Sequence, residues 1–105
     1  AELDFRLIFL PTINDPAATT FIADTAAELV GEQNINRDGP LIMASEDFSY
    51  MLNAVPGAYM MIGNGEGVGG CAVHNPSYDF NDEILPLGAS LFVRLAERKL
   101  ERLPR

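Results

Sequence analysis

Hydrophobic and polar positions alternate strictly at the start of the chain. Leu3, Phe5, Leu7 and Phe9 fall on one side of an extended backbone, and Glu2, Asp4, Arg6 and Ile8 on the other. A period of two predicts a half-buried strand over residues 2–9, the antiparallel kind with one largely polar face, ended at Pro11. The period then changes. In "NDPAATTFIADTAAELVG", Phe21, Ile22, Thr25, Ala26 and Leu29 share one face at helical spacing. Asp15 suits the N-cap, Pro16 the first helical position and Gly31 the C-terminal cap. A polar connection, "GEQNINRDGP", follows.

Residues 41–43, "LIM", form a short apolar run that predicts a buried strand. Ser45 then stands where it would cap a helix, with Glu46 and Asp47 in a first turn that favours negative charge. Phe48, Met51, Leu52 and Val55 keep the helical spacing until Pro56-Gly57 ends it. "AYMMIG", residues 58–63, is apolar throughout, as in a strand covered on both faces. A glycine-rich loop leads to a long amphipathic helix over residues 82–103. Leu85, Ala89, Phe92, Leu95 or Ala96, and Leu100 trace its buried face. Pro86 is tolerated there only because it lies near the helix start, and Lys99 and Arg102 suit its C-terminal end. The order of elements predicts an α/β arrangement with a parallel or mixed sheet, to which the first, half-solvated strand is foreign.

Composition narrows the function classes. The length of 105 residues allows one domain at most, and 48% apolar residues allow a core. A net charge of −8 argues against nucleic acid and anionic membrane surfaces as partners. No apolar run approaches a membrane span, and "AELDFRLIF" is no signal peptide because charges interrupt it. A single cysteine excludes an internal disulfide and favours a reducing, cytoplasmic setting. The chain starts without Met and directly in a strand, and its three expected strands are few for an α/β domain, so a piece of a longer chain is expected.

Candidate chemistry concentrates in "GGCAVHNPSYDFND", residues 69–82, which holds the single histidine and the single cysteine. His74 lies between a glycine loop and a helix, where open α/β sheets bind ligands, and an imidazole there suits a metal. The competing reading is a surface or hydrogen-bonded structural histidine. One histidine makes no metal centre, so further ligands would be carboxylates or come from other chain. The helix start at "ASEDFS" offers free amides to an anion such as a substrate carboxylate, against the plainer reading of an ordinary cap whose acidic turn opposes one. "GNGEGVGG" opens no phosphate-binding helix and lacks a following Lys-Ser/Thr. Cys71 has no second histidine to serve as its base, and no Ser-His-Asp set can be assembled. Arg94, Glu97, Arg98 and Glu101 read as pairs on a solvated helix face.

"MASEDFSYMLNAVPGAYMMIGNG" followed by "VHNPSYDFNDEILPLGASLFVRLAERKL" resembles the C-terminal part of the metal-dependent amidohydrolases. That family includes hippurate hydrolase, N-acyl-amino-acid amidohydrolases and the auxin-conjugate hydrolases, relatives of aminoacylase and carboxypeptidase G. "FLPTINDP" resembles the return from that family's lid domain to its catalytic domain. The resemblance implies a zinc-peptidase-like α/β catalytic domain, a mixed sheet flanked by helices, preceded by the last strand of an α+β lid. Residues 1–13 would be that strand and the return hinge, and residues 14–105 the C-terminal portion of the catalytic domain. It implies that His74 is the last ligand of a two-metal centre of zinc or manganese, with cobalt or nickel as further candidates. Ala44, Ser45 and Glu46 would receive the substrate carboxylate. The family's remaining ligands, in an HxCGHD-like segment, a Glu-Glu pair and a further histidine, do not occur here, and its general-base Glu is missing too. No catalytic residue is therefore expected within the chain, which would act with a missing N-terminal half on small N-acyl amino acids. The parent would be a homodimer through its lid. The rival class is a non-catalytic scaffold domain or truncated pseudo-enzyme in which His74 is structural.

Overall fold

The structure, a computed structural model, describes residues 1–67 and 69–101. It divides into two compact units, Ala1–Tyr59 and Met60–Arg105. Helices α1 (Pro16–Val30), α2 (Phe48–Ala54) and α3 (Leu85–Glu101) carry the regular structure, with single 3₁₀ turns at Glu32–Asn34 and Asp82–Ile84. The expected mixed sheet is not there. Among the described residues no strand forms at 2–9, 41–43 or 58–63. The residues meant for covered strands are instead exposed, all but the half-buried Ala58, with Leu41 at 97% and Met43 at 98%. The reason is physical. Alternation or an apolar run reports which faces want burial, but a strand exists only when a neighbour accepts its backbone hydrogen bonds. No such neighbour lies among the described residues.

In the first unit α1 forms where local signals place it. Asp15 Oδ1 accepts from the Ala18 N–H at 2.8 Å, Pro16 opens the helix, and the Gly31 N–H donates to the Ala27 carbonyl at 2.8 Å. Gly31 has φ +85°, a left-handed value that glycine adopts without steric cost. Thr25 is fully buried and donates its hydroxyl to the Phe21 carbonyl at 2.7 Å. Arg37 ties the polar connection back to α1, 2.8 Å from Asp24 and 2.6 Å from Glu32. The second helix starts later than expected. Ser45 does not cap it; α2 begins at Phe48, and Glu46 Oε1 folds back to accept the Phe48 N–H at 3.2 Å.

A side chain supplies the link that a strand was expected to make. Asn14 Oδ1 accepts the Tyr59 N–H at 2.8 Å, and Asn14 Nδ2 donates to the Tyr59 carbonyl at 2.8 Å. The Asp15 N–H donates to the Gly57 carbonyl at 2.9 Å alongside. A carboxamide carries a donor and an acceptor in one plane, as a peptide group does, so it pairs with one residue as a neighbouring strand would.

In the second unit α3 follows a 3₁₀ turn capped by Asn81, whose Oδ1 accepts the Glu83 N–H at 3.1 Å. Its buried side meets the expected one only at Leu95. Leu91 is the buried residue, flanked along the helix by half-buried Leu87, Gly88 and Leu95. Phe92 and Leu100, assigned to the buried face, are 75% and 66% exposed. The helix is apolar on two adjacent faces, and spacing alone cannot say which one the chain covers. Arg102, expected to suit the helix end, lies outside the described residues.

Candidate functional site

His74 sits on a loop over residues 69–79 that is pinned at its base. Gly69 has φ +81°, and a Cβ added there would lie 2.5 Å from Asp79 Cβ and 2.9 Å from its nitrogen. Only glycine therefore lets the Asp79 N–H reach the Gly69 carbonyl, at 3.1 Å. Asn64 closes the base from outside. Its Nδ2 donates to the Asp79 carbonyl at 2.8 Å and its Oδ1 accepts the Asn81 N–H at 2.8 Å. Asn81 Nδ2 returns a bond to the Asn64 carbonyl at 3.3 Å.

Within the loop two tight turns follow one another. The Asn75 N–H donates to the Ala72 carbonyl at 3.3 Å, and the Tyr78 N–H to the Asn75 carbonyl at 2.9 Å. Pro76 supplies the fixed φ of the second turn, and Asn75 Oδ1 accepts the Ser77 N–H at 2.9 Å. His74 is the third residue of the first turn, with φ +68°. It is the one non-glycine residue at positive φ among those described. Its side chain is exposed. Histidine tolerates the left-handed region better than most residues, yet the conformation is costly and marks a constrained position.

The loop offers one metal donor. Among the described residues no group of three or more His, Cys, Asp or Glu side chains could hold an ion. One exposed imidazole fits a single ligand position, and a hydrolytic metal centre takes several. Cys71 is half-buried, with its sulfur 3.8 Å from the Gly69 carbonyl.

Ala44 and Ser45 belong to the other unit and lie exposed in irregular chain. Glu46 is half-buried and engaged. The Phe48 amide, then Asp47 and the Tyr59 hydroxyl, hold its carboxyl below the usual carboxylate range. The same carboxylate pushes the Tyr59 phenol up. The rings of Phe48 and Tyr59 pack with centroids 5.6 Å apart. The amide end of α2, only seven residues long, thus already receives a negative charge from its own chain. Asn64 and Tyr59 carry no local signal in the sequence, because their partners Asp79, Asn81 and Asn14 lie far along the chain, and Asn81 shows locally only as a turn cap.

The profile of peptidase family M20/M25/M40 matches residues 1–98, and the chain belongs to that family, whose members are generally metal-dependent hydrolases. The chain is 37% identical over 106 residues to the IAA-amino acid hydrolase ILR1-like 4 of Arabidopsis thaliana, covering 95% of this chain and 24% of that protein. It is 36% identical over 90 residues to the hippurate hydrolase of Campylobacter jejuni, covering 86% of this chain and 23% of that protein. It is 30% identical over 80 residues to the N-acetyldiaminopimelate deacetylase of Enterococcus faecalis, covering 76% of this chain and 20% of that protein. The chain therefore spans about a quarter of the length of the curated relatives it matches. No solved structure matches it. No helix among the described residues is long and apolar enough to cross a membrane.

Proposed function

We propose that the chain is the C-terminal part of a metal-dependent amidohydrolase that cleaves the amide bond of N-acyl amino acids. The observation that carries this reading is the family match over residues 1–98 together with relatives named for hydrolysis of hippurate and of auxin–amino acid conjugates. Residues 1–13 belong to the lid and its return hinge in this reading, and residues 14–105 to the catalytic domain. The parent acts in the cytoplasm as a homodimer.

His74 holds one of two divalent ions, zinc or manganese, through its neutral imidazole. Bound metal in such a centre polarises the amide carbonyl and lowers the pKa of a water. This chain's part is to orient the donor. The left-handed turn at His74 and the clasped base of the loop support that role. Ala44, Ser45 and Glu46 receive the substrate carboxylate in this reading: Glu46, already paired with Tyr59 and the Phe48 amide, leaves the exposed Ala44 and Ser45 amides to meet it.

The test is His74→Asn in the parent protein. Asparagine also tolerates positive φ, so the turn survives while the imidazole is lost. We expect loss of one metal equivalent and at least a hundredfold lower turnover of hippurate, with the melting temperature nearly kept. Full metal content with near-normal turnover returns His74 to a structural role.

A further inference from the structure

We propose that Asn64 is a positioning residue for His74: its side-chain amide clasps the two backbone positions that close the loop and so sets where the imidazole stands. The inference rests on the reading of His74 as a metal ligand and names what orients it.

The geometry runs from Asn64 to His74 without a gap. Asn64 is half-buried and spends both ends of its carboxamide on the loop base, at 2.8 Å to the Asp79 carbonyl and 2.8 Å to the Asn81 N–H. Asp79 is locked to Gly69 at 3.1 Å, and the position that would hold a Cβ on Gly69 is already filled by Asp79. Next to Asp79, the Tyr78 N–H holds the Asn75 carbonyl at 2.9 Å, and the Asn75 N–H closes the turn that contains His74. The left-handed φ of +68° at His74 persists only because these bonds over-determine it. Free the base, and the turn relaxes toward conformations that aim the imidazole elsewhere. Metal sites lose affinity when groups behind a ligand are removed, since the ligand is then no longer pre-aimed.

The molecule supplies its own control. Asn14 clasps Tyr59 with the same pair of 2.8 Å bonds, in the other unit, where there is no histidine. Asn14→Ala and Asn64→Ala therefore remove matched interactions. In the zinc-loaded parent protein, zinc release to a chromogenic chelator is measured for both, with kcat and KM on hippurate. We expect Asn64→Ala to release zinc roughly tenfold to a hundredfold faster and to lower kcat with little change in KM. Asn14→Ala should release zinc at the wild-type rate despite a similar fall in melting temperature. Asn64→Asp keeps the acceptor for the Asn81 N–H and loses the donor to Asp79, so its release rate should fall between; it also serves if Asn64→Ala does not fold. Zinc release from the Asn64 variants at the Asn14→Ala rate overturns the proposal. If His74→Asn loses zinc while Asn64→Ala keeps it, only this inference fails. If His74→Asn keeps zinc, the ligand reading fails first.

Discussion

At the scale of single residues, backbone conformation decides more than side-chain identity. His74 at φ +68° and Gly69 at φ +81° are the two positions that shape the candidate loop. Replacing His74 by a β-branched residue should cost about 1–2 kcal/mol, because the left-handed region then meets Cβ crowding. His74→Gly should be nearly neutral in the metal-free protein, since relief of strain is offset by a freer unfolded chain. Urea denaturation of the parent protein stripped of metal reads both. The contact of Tyr59 with Glu46 makes a pH prediction. Glu46 titrates below its ordinary value when folded, so its contribution is present at neutral pH and lost as pH falls through that lowered value. Tyr59 titrates above its ordinary value, so its contribution is present at neutral pH and lost as pH rises through that raised value. Glu46→Gln should flatten the acid limb of the stability profile, and Tyr59→Phe the alkaline limb. Melting temperatures across the pH range check each limb separately. Residue types alone made His74 visible as a candidate. They could not reveal Asn64, whose partners lie 15 and 17 residues away with no period to announce them.

Elements were legible where their signals are local. Asp15, Pro16 and Gly31 mark both ends of α1, and the helix obeys them. Asp15→Ala should therefore cost about 1 kcal/mol, measured as a shifted denaturation midpoint. The expected strands at 2–9, 41–43 and 58–63 do not form among the described residues, because a strand's hydrogen bonds depend on a partner that no local pattern contains. Helix α3 shows a third case, where the element is right and its orientation is not. In this chain Leu91→Ala should destabilise by about 2 kcal/mol or more, and Phe92→Ala by about 0.5 kcal/mol or less. The reverse order would show that the expected face, through Phe92, is the one the chain covers.

At the scale of the whole molecule, large apolar side chains lie exposed in each of the two units. Leu3, Leu41, Met43 and Phe92 are each at least 75% exposed. Apolar surface of this extent binds dyes and drives association. The chain by itself should therefore bind an apolar fluorescent dye and sediment as a mixture of species. It should also lack turnover and tight zinc binding, because one imidazole forms no chelate. Calorimetric titration giving tight one-to-one zinc binding to the chain alone would contradict this.

The clasp at Asn64 also makes this position a recorder of time. Asn64 is followed by Gly65, the pairing least hindered for attack by the glycine nitrogen on the asparagine side-chain carbonyl carbon. That attack expels ammonia and closes a cyclic imide, which water reopens to aspartate or isoaspartate. In the closed loop both ends of the carboxamide are engaged, by the Asp79 carbonyl and the Asn81 N–H, so the side chain cannot swing onto the Gly65 nitrogen. Deamidation then proceeds only while the loop stands open. The fraction of aged molecules at this position, read by peptide mass spectrometry, reports the time the loop has spent open.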